Sequence, residues 1–512
     1  MAMRTQTSDF KLENVYDNRL SVVSRASRPR VSKASRLRCE GQRPSTRADR
    51  MSATRFHTRS QGPSFTLPFL LALAATVLWS CSVSQAALRG GCSRIDITPP
   101  LGTTLIGSKG QPSDTVRDDL YAKAMVLSDG RTTVALLSID LLYTALEEIT
   151  EPVRAILKEK LDIPPQNIMI CATHTHSGPE VFTRSKLPPK SRVPVSDLAQ
   201  AYLQVLIRKM ADSVIVAHQG MQEVKIGAAV GQVPEVLYNR RPLAKDGRVK
   251  TTFSLPPEVV ATRRIEPAAD GEAKIAFTLL SDGTPLEFGG VDPRVYVLRM
   301  EDSEGRIVGS LVDFGCHPVS IYPHFSTAVS ADYPAFVTRV VEQAEGGVSL
   351  FLLGLAGNTV PIQRGAGPCA QIGKAVGGQA VRQLQFVATS DDVALNARSR
   401  QVAFPLKQAP ADKAETATLE SITTEIQVLR LGDIYLLGLP GEVLVEVGRE
   451  IRRKAGIENL IIATVTNDTI GYVCHGRAYD EGGYEAEAGA SLAQGAGEIM
   501  VREALALLGE IK

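Results

Sequence analysis

Two histidines separated by one residue are the first side chains in this sequence whose types and spacing could do chemistry. His174 and His176 stand in the run CATHTHSGP (171–179), at the end of an apolar segment that predicts a β-strand. In extended backbone, residues i and i+2 point to the same face, so both imidazoles can converge on one site. Neutral imidazole is a preferred zinc donor. The pair therefore predicts a metal site, with two surface or core histidines as the alternative.

A third histidine and a glutamate occupy similar positions elsewhere in the chain. His317 follows an apolar run in DFGCHPVSIYPH (313–324), and Glu442 closes LGLPGE (437–442) after another. The sites of α/β enzymes collect beyond the carboxyl ends of strands, which favours a functional role for both side chains. The alternatives are a loop histidine bonded to backbone and a carboxylate that stabilises a helix N-terminus.

Two further segments combine turn residues with groups that could line a site. LLGLAGNTVP (352–361) is either a tight turn or a loop whose backbone N–H groups face an anion. TNDTIGYV (466–473) and the following HGRAYDEGGYE bring Tyr472, Tyr479 and Tyr484 close in sequence. These tyrosines are either packing residues or the rim of a site.

Short apolar runs alternate with amphipathic segments from residue 92 onward, and these elements must position the polar residues. Runs rich in Val, Ile and Leu predict strands, and periodic apolar positions predict helices. The mixture predicts an α/β fold (mixed α+β), a single catalytic domain in which mixed β-sheets are flanked by helices. A charged, Pro/Gly-rich segment (234–293) predicts a long excursion from the domain. The predicted strands are 124–127, 134–139, 168–172, 295–299, 307–314, 350–353, 434–437 and 460–465, and the predicted helices are 146–159, 197–217, 335–345, 371–385, 443–454 and 495–508.

The charge of the chain is unevenly distributed. Its 57 basic and 55 acidic residues nearly balance, but residues 1–60 carry 14 basic and 5 acidic residues, whereas the other 452 carry 43 and 50. The body is therefore acidic, which argues against a protein that tracks nucleic-acid phosphates. A hydrophobic fraction of 44% and a charged fraction of 22% exclude a disordered, collagen-like or multi-span membrane protein.

The basic residues concentrate in an N-terminal leader. Residues 1–50 are rich in Ser and Arg, and Met51 is a candidate alternative start. Residues 51–86 combine a basic segment, an apolar core of signal-peptide length and a small-x-small cleavage site, which predicts secretion or export to a periplasm. An organelle transit peptide is the alternative. The run LWSC ending at Cys81 loosely resembles a lipoprotein box, which would anchor the chain there.

The cysteines give no obvious disulfide framework. Of seven, five follow the leader, an odd number without CxxC spacing. Buried thiols are the favoured interpretation for Cys171 and Cys316.

Several motifs together resemble the neutral/alkaline (non-lysosomal) ceramidase family, in its N-terminal zinc amidohydrolase domain. The resemblance spans residues 90–512, and THTHSGP joined to HPVS and PGE is a specific combination. The motifs, in chain order, are GCSRIDITPP (91–100), THTHSGP (173–179), YNR (238–240), VDPRVYVLR (291–299), HPVS (317–320), SADY (330–333), PGE (440–442) and NDTIGYV (467–473).

This resemblance implies a mononuclear Zn²⁺ site and a role for each of its residues. His176 would act as acid and base beside a zinc-activated water. Arg240 and Tyr484 would hold the substrate amide or the tetrahedral intermediate. The implied zinc ligands are His174, His317, Glu442 and Tyr472.

Two departures from the family pattern stand out. Ceramide-cleaving members carry a loop reading GDVSP, which aligns with 357–361; here Asn358 replaces the acid and Val360 the serine. A valine can neither attack nor donate a hydrogen bond, so the reaction here must rely on zinc-activated water. Those members also carry a C-terminal β-sandwich. Because the chain ends at Lys512, soon after the tyrosine cluster, that domain is expected to be absent.

The implied function is an exported zinc-dependent hydrolase that cleaves the amide of N-acyl-sphingosine (ceramide) or a related N-acyl amine. Its partner would be a small-molecule or lipid substrate, with peripheral membrane contact. One alternative is a catalytically silent ligand-binding protein of the same fold. Another is a zinc hydrolase that acts on a different amide or ester. A third is a different metallohydrolase that uses HxH, for example a barrel amidohydrolase or a metallo-β-lactamase-like enzyme. The last needs an HxHxDH run, whereas Ser-Gly-Pro follows His176, and no eightfold strand–helix rhythm is apparent.

Overall fold

The computed structural model describes residues 87–108, 110–182, 195–268, 271–322, 324–408 and 420–512. The predicted leader (1–50), the predicted signal peptide (51–86) and Cys81 lie outside these described residues. Within the described ranges, no helix combines the length and the apolar character that crossing a membrane requires.

Most strands are short and join into several small sheets. In chain order they are β1 Arg89–Asp96, β2 Thr115–Val116, β3 Tyr121–Ser128, β4 Thr133–Ile139, β5 Ile168–Ala172, β6 Gln222–Glu223, β7 Lys225–Gln232, β8 Leu237–Asn239, β9 Arg264–Pro267, β10 Ala273–Ala276, β11 Leu280–Ser281, β12 Thr284–Pro285, β13 Gly290–Val291, β14 Arg294–Glu301, β15 Ile307–Phe314, β16 Ala328–Val329, β17 Val348–Leu353, β18 Thr359–Pro361, β19 Leu395–Pro405, β20 Ser421–Leu431, β21 Ile434–Gly438, β22 Glu442–Val443, β23 Leu460–Ala463 and β24 Tyr472–Val473.

The helices follow or separate these strands. They are α1 Glu151–Leu161, α2 Asp197–Gln219, α3 Pro257–Val260, α4 Tyr333–Glu345, α5 Ala366–Leu384, α6 Val445–Ala455, α7 Gly476–Glu481 and α8 Ala496–Ile511. A π-helical turn, Leu146–Thr150, precedes α1.

Three larger sheets share one design, in which an antiparallel meander ends in a parallel pair. Their strand orders are β5-β4-β3-β1-β6, β17-β15-β14-β7 and β19-β20-β21-β23. The parallel pairs are β4 with β5, β15 with β17, and β21 with β23. Several of these strands lead at their carboxyl ends into the polar motifs of the sequence, so the topology gathers those motifs in one region.

The three sheets face one another through a shared apolar core, and helices cover their outer faces. Met125 of the first sheet, Leu311 of the second and Leu436 of the third belong to one buried cluster. Helices α2, α4 and α5 pack over the first two sheets, while α6 and α8 pack over the third. The α/β prediction with helix-flanked mixed sheets is thus confirmed.

The predicted elements all occur, with boundary errors that have physical causes. The strand predicted to run to 465 ends at Ala463, because Val465 adopts a φ of 46° that extended backbone does not allow. The helix predicted from 443 begins at Val445, since Glu442 and Val443 pair with β24. The helix predicted from 371 begins five residues earlier, at Ala366.

All five described cysteines are free thiols. Cys171 and Cys316 are fully buried, as predicted, and so are Cys369 and Cys474; Cys92 is partly exposed.

Candidate metal and amide-binding site

His174 is the first residue of the site in chain order, and its backbone is strained. It follows β5 and adopts a φ of 68°, a left-handed conformation that few non-glycine residues take. Its backbone N–H donates to the carbonyl of Leu141, and its Nδ1 lies 2.6 Å from the carbonyl oxygen of Leu142. These bonds turn the chain sharply and aim Nε2 into the interior. Strain of this kind persists only where the surroundings hold it, and it concentrates at functional sites.

His317 and Glu442 meet His174 at one buried point. The Nε2 atoms of His174 and His317 lie 3.1 Å apart. The Oε2 atom of Glu442 lies 3.4 Å from the first and 3.2 Å from the second. Glu442 Oε2 has no hydrogen-bond donor.

The hydrogen bonds of the two histidine rings direct their Nε2 atoms towards the Glu442 carboxylate. His317 Nδ1 lies 2.7 Å from the carbonyl oxygen of Ala356, and His174 Nδ1 lies 2.6 Å from that of Leu142, so each Nδ1–H donates. In a neutral ring of this tautomer Nε2 carries the lone pair. Burial lowers the pKa of His317 to about 4, which keeps it neutral. Two lone pairs and a carboxylate oxygen facing one another repel unless a cation lies between them. The donor set therefore fits Zn²⁺, whose ligands are nitrogen and oxygen atoms of this kind.

His176 borders this cluster without a hydrogen bond from its Nε2. One ligand atom of each of the three histidines lies within 4.8 Å of those of the other two. Burial, together with the neighbouring His174 and His317, holds the pKa of His176 well below its usual value. The ring of Tyr322 stacks on it, with centroids 5.8 Å apart. Position alone is compatible with His176 as a third histidine ligand or as a neutral base beside the metal.

Tyr472 is the register partner of Glu442 in the two-stranded parallel sheet β22–β24. Its hydroxyl accepts a hydrogen bond of 3.0 Å from Nη2 of Arg240. Burial and the nearby charge of Glu442 hold the pKa of Tyr472 well above its usual value. The strand pairing thus places a phenol beside the carboxylate, although the two residues are thirty positions apart.

Arg240 is fixed by several hydrogen bonds and keeps its positive charge. Its Nε donates to Glu485 at 2.6 Å, and its Nη2 donates to the carbonyl of Gly357 at 2.9 Å. Burial acts to lower the pKa of Arg240, but Tyr472 and Glu485 outweigh it and raise the pKa above its usual value. The fully buried Glu485 also binds Arg241, so one carboxylate fixes two guanidinium groups.

Aromatic rings form the rim beside Arg240. The rings of Phe253, Tyr472 and Tyr484 lie 5.4, 5.6 and 5.7 Å from its guanidinium carbon. Phe253 and Tyr484 contact each other edge to face and are 41% and 39% exposed. These two rings therefore form the solvent side of the site, where a substrate would enter.

The loop 357–361, which aligns with GDVSP, forms hydrogen bonds with the segments that carry the site residues. Gly357 donates to the carbonyl of Val443, and the Asn358 carbonyl accepts from the backbone of Arg240. The Asn358 side chain accepts from the Val445 N–H and donates to Glu446. Val360 is completely buried in the apolar core. The loop connects the strand that carries Glu442 to Arg240, and the residue in place of the serine is a core residue.

Asn467, the first residue of the NDTIGYV motif (467–473), has a structural role. Asn467, in a left-handed conformation, accepts from the Ile170 N–H and donates to Glu425 and Gln427. Arg154 donates to the same Glu425 at 2.8 Å and to the carbonyl of Ile168. This buried network fixes β5, the strand that ends at His174.

All seven residues that the sequence predicts for the site lie in this one region, and their roles stay predictions. The ligand candidates converge, while Arg240 and Tyr484 lie on the side of Tyr472. Sequence reasoning missed Glu485, Phe253 and Tyr322. Only Glu485 had a local signal, an acid directly after Tyr484 in a glycine-rich turn.

Comparison with known proteins agrees with the motifs. Residues 89–247 match the family model of the N-terminal region of neutral/alkaline non-lysosomal ceramidase. The fold is similar to that of neutral ceramidase from Pseudomonas aeruginosa, with a TM-score of 0.63 and 20% identity over 83% of this chain and 75% of that chain. A ceramidase complexed with C2 gives a TM-score of 0.64 and 18% identity over the same shares. The predicted resemblance is confirmed: this chain is similar to the neutral ceramidases in its N-terminal motifs and in its fold.

Proposed function

We propose that this protein is a zinc-dependent hydrolase that cleaves the amide bond of N-acyl-sphingosine or of a related N-acyl amine. The observation that carries the proposal is the meeting of two Nε2 lone pairs and the Glu442 carboxylate within 3.4 Å, beside an arginine that faces an exposed aromatic rim. The likeness to neutral ceramidases supports amide cleavage as the reaction.

The ligand candidates form one half of this machinery. Zinc, when bound, polarises a carbonyl and lowers the pKa of water towards about 7. His174 and His317 are pre-oriented for it by their Nδ1 bonds to backbone carbonyls. Such bonds fix the ring orientation and the tautomer, and they raise the basicity of Nε2.

The remaining residues handle the proton and the developing charge. His176 is neutral, so its Nε2 can accept a proton during attack on the carbonyl and deliver it to the leaving amine nitrogen. Arg240 is fixed by Glu485 and by the Gly357 carbonyl, so its charge can stabilise an oxyanion without rearrangement. Phe253 and Tyr484 offer apolar surface to the acyl chain or the amine part of the substrate.

The proposal includes export and a lipid-like substrate. Its support is the signal-like segment 51–86 and the apolar rim, with peripheral membrane contact as the way a lipid would reach the site.

The test compares metal content with turnover in matched histidine variants. Wild-type protein is expected to bind one zinc ion per chain and to hydrolyse N-acyl-sphingosine or a short N-acyl amine. His317→Ala should lose both zinc and activity, whereas His176→Ala should keep zinc and lose activity by about 100-fold or more. His218→Ala, at the end of α2 and away from the site, is the control.

Four outcomes would overturn parts of the proposal. Native protein without zinc, or full activity in His174→Ala, would reject the metal mechanism. Loss of zinc in His176→Ala would make it a ligand. Ligand binding at full zinc occupancy without turnover would favour a silent binding protein.

A further inference from the structure

A second arginine near the site lacks an acidic partner. Arg364 lies between β18 and α5, and its Nη2 donates to the carbonyl of Phe253 at 2.6 Å. Its Nε is buried and has no hydrogen-bond acceptor. Among the residues that the structure describes, no carboxylate forms an ion pair with it.

The charge of Arg364 acts on the proposed site. It is close enough to Arg240 and Tyr322 for electrostatic interaction with both. Tyr322 stacks on His176, and Phe253, whose carbonyl holds Arg364, packs against Arg240. Arg364 therefore lies behind the rim that a substrate would pass.

The neighbouring carboxylates are engaged by other groups, and none forms an ion pair with Arg364 among the described residues. Arg240 and Arg241 share Glu485, and Arg241 also pairs with Glu481. The nearby Asp332 is buried and engages the backbone N–H groups of Ile321 and Tyr333. A largely buried cation without a partner is costly, and an anion supplied by a ligand would remove that cost.

Building on the proposed function, we propose that Arg364 binds an anionic group of the substrate, so that the preferred substrates are N-acyl amines carrying a carboxylate or another oxyanion. The Nη N–H groups that the Phe253 carbonyl leaves free are the donors that a guanidinium offers to a carboxylate. The amide would then lie at the histidine cluster while the anion pairs with Arg364.

The test uses two substrates that differ only in charge: N-dodecanoyl-glycine and its neutral amide, N-dodecanoyl-glycinamide. Wild-type protein is expected to favour the charged substrate in kcat/KM. Arg364→Gln should lower the ratio of the two kcat/KM values by about 10- to 100-fold, the effect of a lost charged hydrogen bond. Arg364→Lys, which keeps the charge without the fork, should fall between. Arg263→Gln, at an exposed arginine bonded to the Glu235 carbonyl, is the matched control and should keep the ratio.

A second readout separates this inference from the proposed function. Calorimetric binding of N-dodecanoyl-glycine should weaken by about 10- to 100-fold in Arg364→Gln, whether or not the amide is cleaved. The thermal midpoint should not fall, because the variant removes an unpaired charge. Equal binding by both proteins, an unchanged ratio, or cleavage of N-acyl-sphingosine alone would overturn the inference. Failure to hydrolyse any amide would reject the proposed function, and the binding comparison would then decide the anion site.

Discussion

The pairing of Asn358 with Glu446 predicts that an acid at position 358 is incompatible with this loop. The Asn358 amide donates to Glu446 Oε2 at 2.9 Å, and its carbonyl oxygen accepts from the Val445 N–H. Asn358→Asp keeps the shape and the acceptor but replaces the donor with a negative charge. The GDVSP pattern of the family resemblance has an acid at this position, so the variant introduces that residue into the surroundings of this chain.

The cost follows from the geometry. Two carboxylates 2.9 Å apart repel by about 6 kcal/mol at an effective dielectric constant of about 20. Protonating one of them instead costs about 4 kcal/mol at pH 7 and about 1 kcal/mol at pH 5, given an ordinary Glu pKa of about 4.3. Protonation costs less than the repulsion at both pH values, so its cost determines how much unfolding free energy the variant loses. Since the repulsion raises the pKa of one carboxyl in the folded state, the variant is most stable below about pH 4 and loses stability as pH rises.

Urea unfolding at pH 5 and pH 7 measures this effect. Asn358→Asp should lose about 4 kcal/mol of unfolding free energy at pH 7 and about 1 kcal/mol at pH 5. Adding Glu446→Gln should restore stability to within about 1 kcal/mol at both pH values, because the glutamine amide can donate to the new carboxylate. Glu450→Gln, one turn further along the helix, should not restore it. A loss that is equal at both pH values, or no rescue by Glu446→Gln, would refute the reasoning.

Three further predictions concern metal, pH and the buried network. Added zinc should raise the thermal midpoint of the wild-type protein but not of His317→Ala, because only bound metal stabilises the folded state; equal shifts would contradict the ligand set. Burial raises the pKa of Asp140 to about 6, so the folded state binds this proton more tightly than the unfolded state does. The unfolding free energy therefore falls as pH rises from about 4 to 6. Asp140→Asn should remove about 3 kcal/mol of that fall in unfolding free energy, and an unchanged pH profile would count against it. Arg154→Met should lower the unfolding free energy by about 3 to 5 kcal/mol by leaving Glu425 buried without its partner, and Arg154→Met with Glu425→Leu should recover most of it in urea unfolding.

Sequence patterns found the strands whose apolar runs are continuous and missed those that are interrupted by polar residues or are only two or three residues long. β5 is buried at every position, and its continuous apolar run marks it. β19 alternates buried with exposed residues and carries two arginines and a serine, so its polar face hides it. The positive φ of Val465 has no local cause in the sequence, because contacts with other loops impose it.

Site residues could be predicted where their type and local sequence indicate chemistry, but not where only tertiary contacts bring them to the site. The HxH pair and the glutamate after a strand could be singled out from residue types, but their assembly with Tyr472 came from the family resemblance. Phe253 and Arg364 stand in segments without a motif. They approach Arg240 only after distant parts of the chain fold together.

The five free thiols of the described residues differ in redox behaviour between the folded and the unfolded state. Burial raises the pKa of Cys171 and Cys474 to about 12, and it raises that of the partly exposed Cys92 as well. Thiolates are the species that exchange with disulfides, so these thiols exchange more slowly in the folded protein than ordinary cysteines do. Once the chain unfolds, every thiol returns to an ordinary pKa and can form mispaired bridges. In an oxidising compartment the lifetime of the molecule would then depend on how rarely it opens, and recovery after heating would require a reductant.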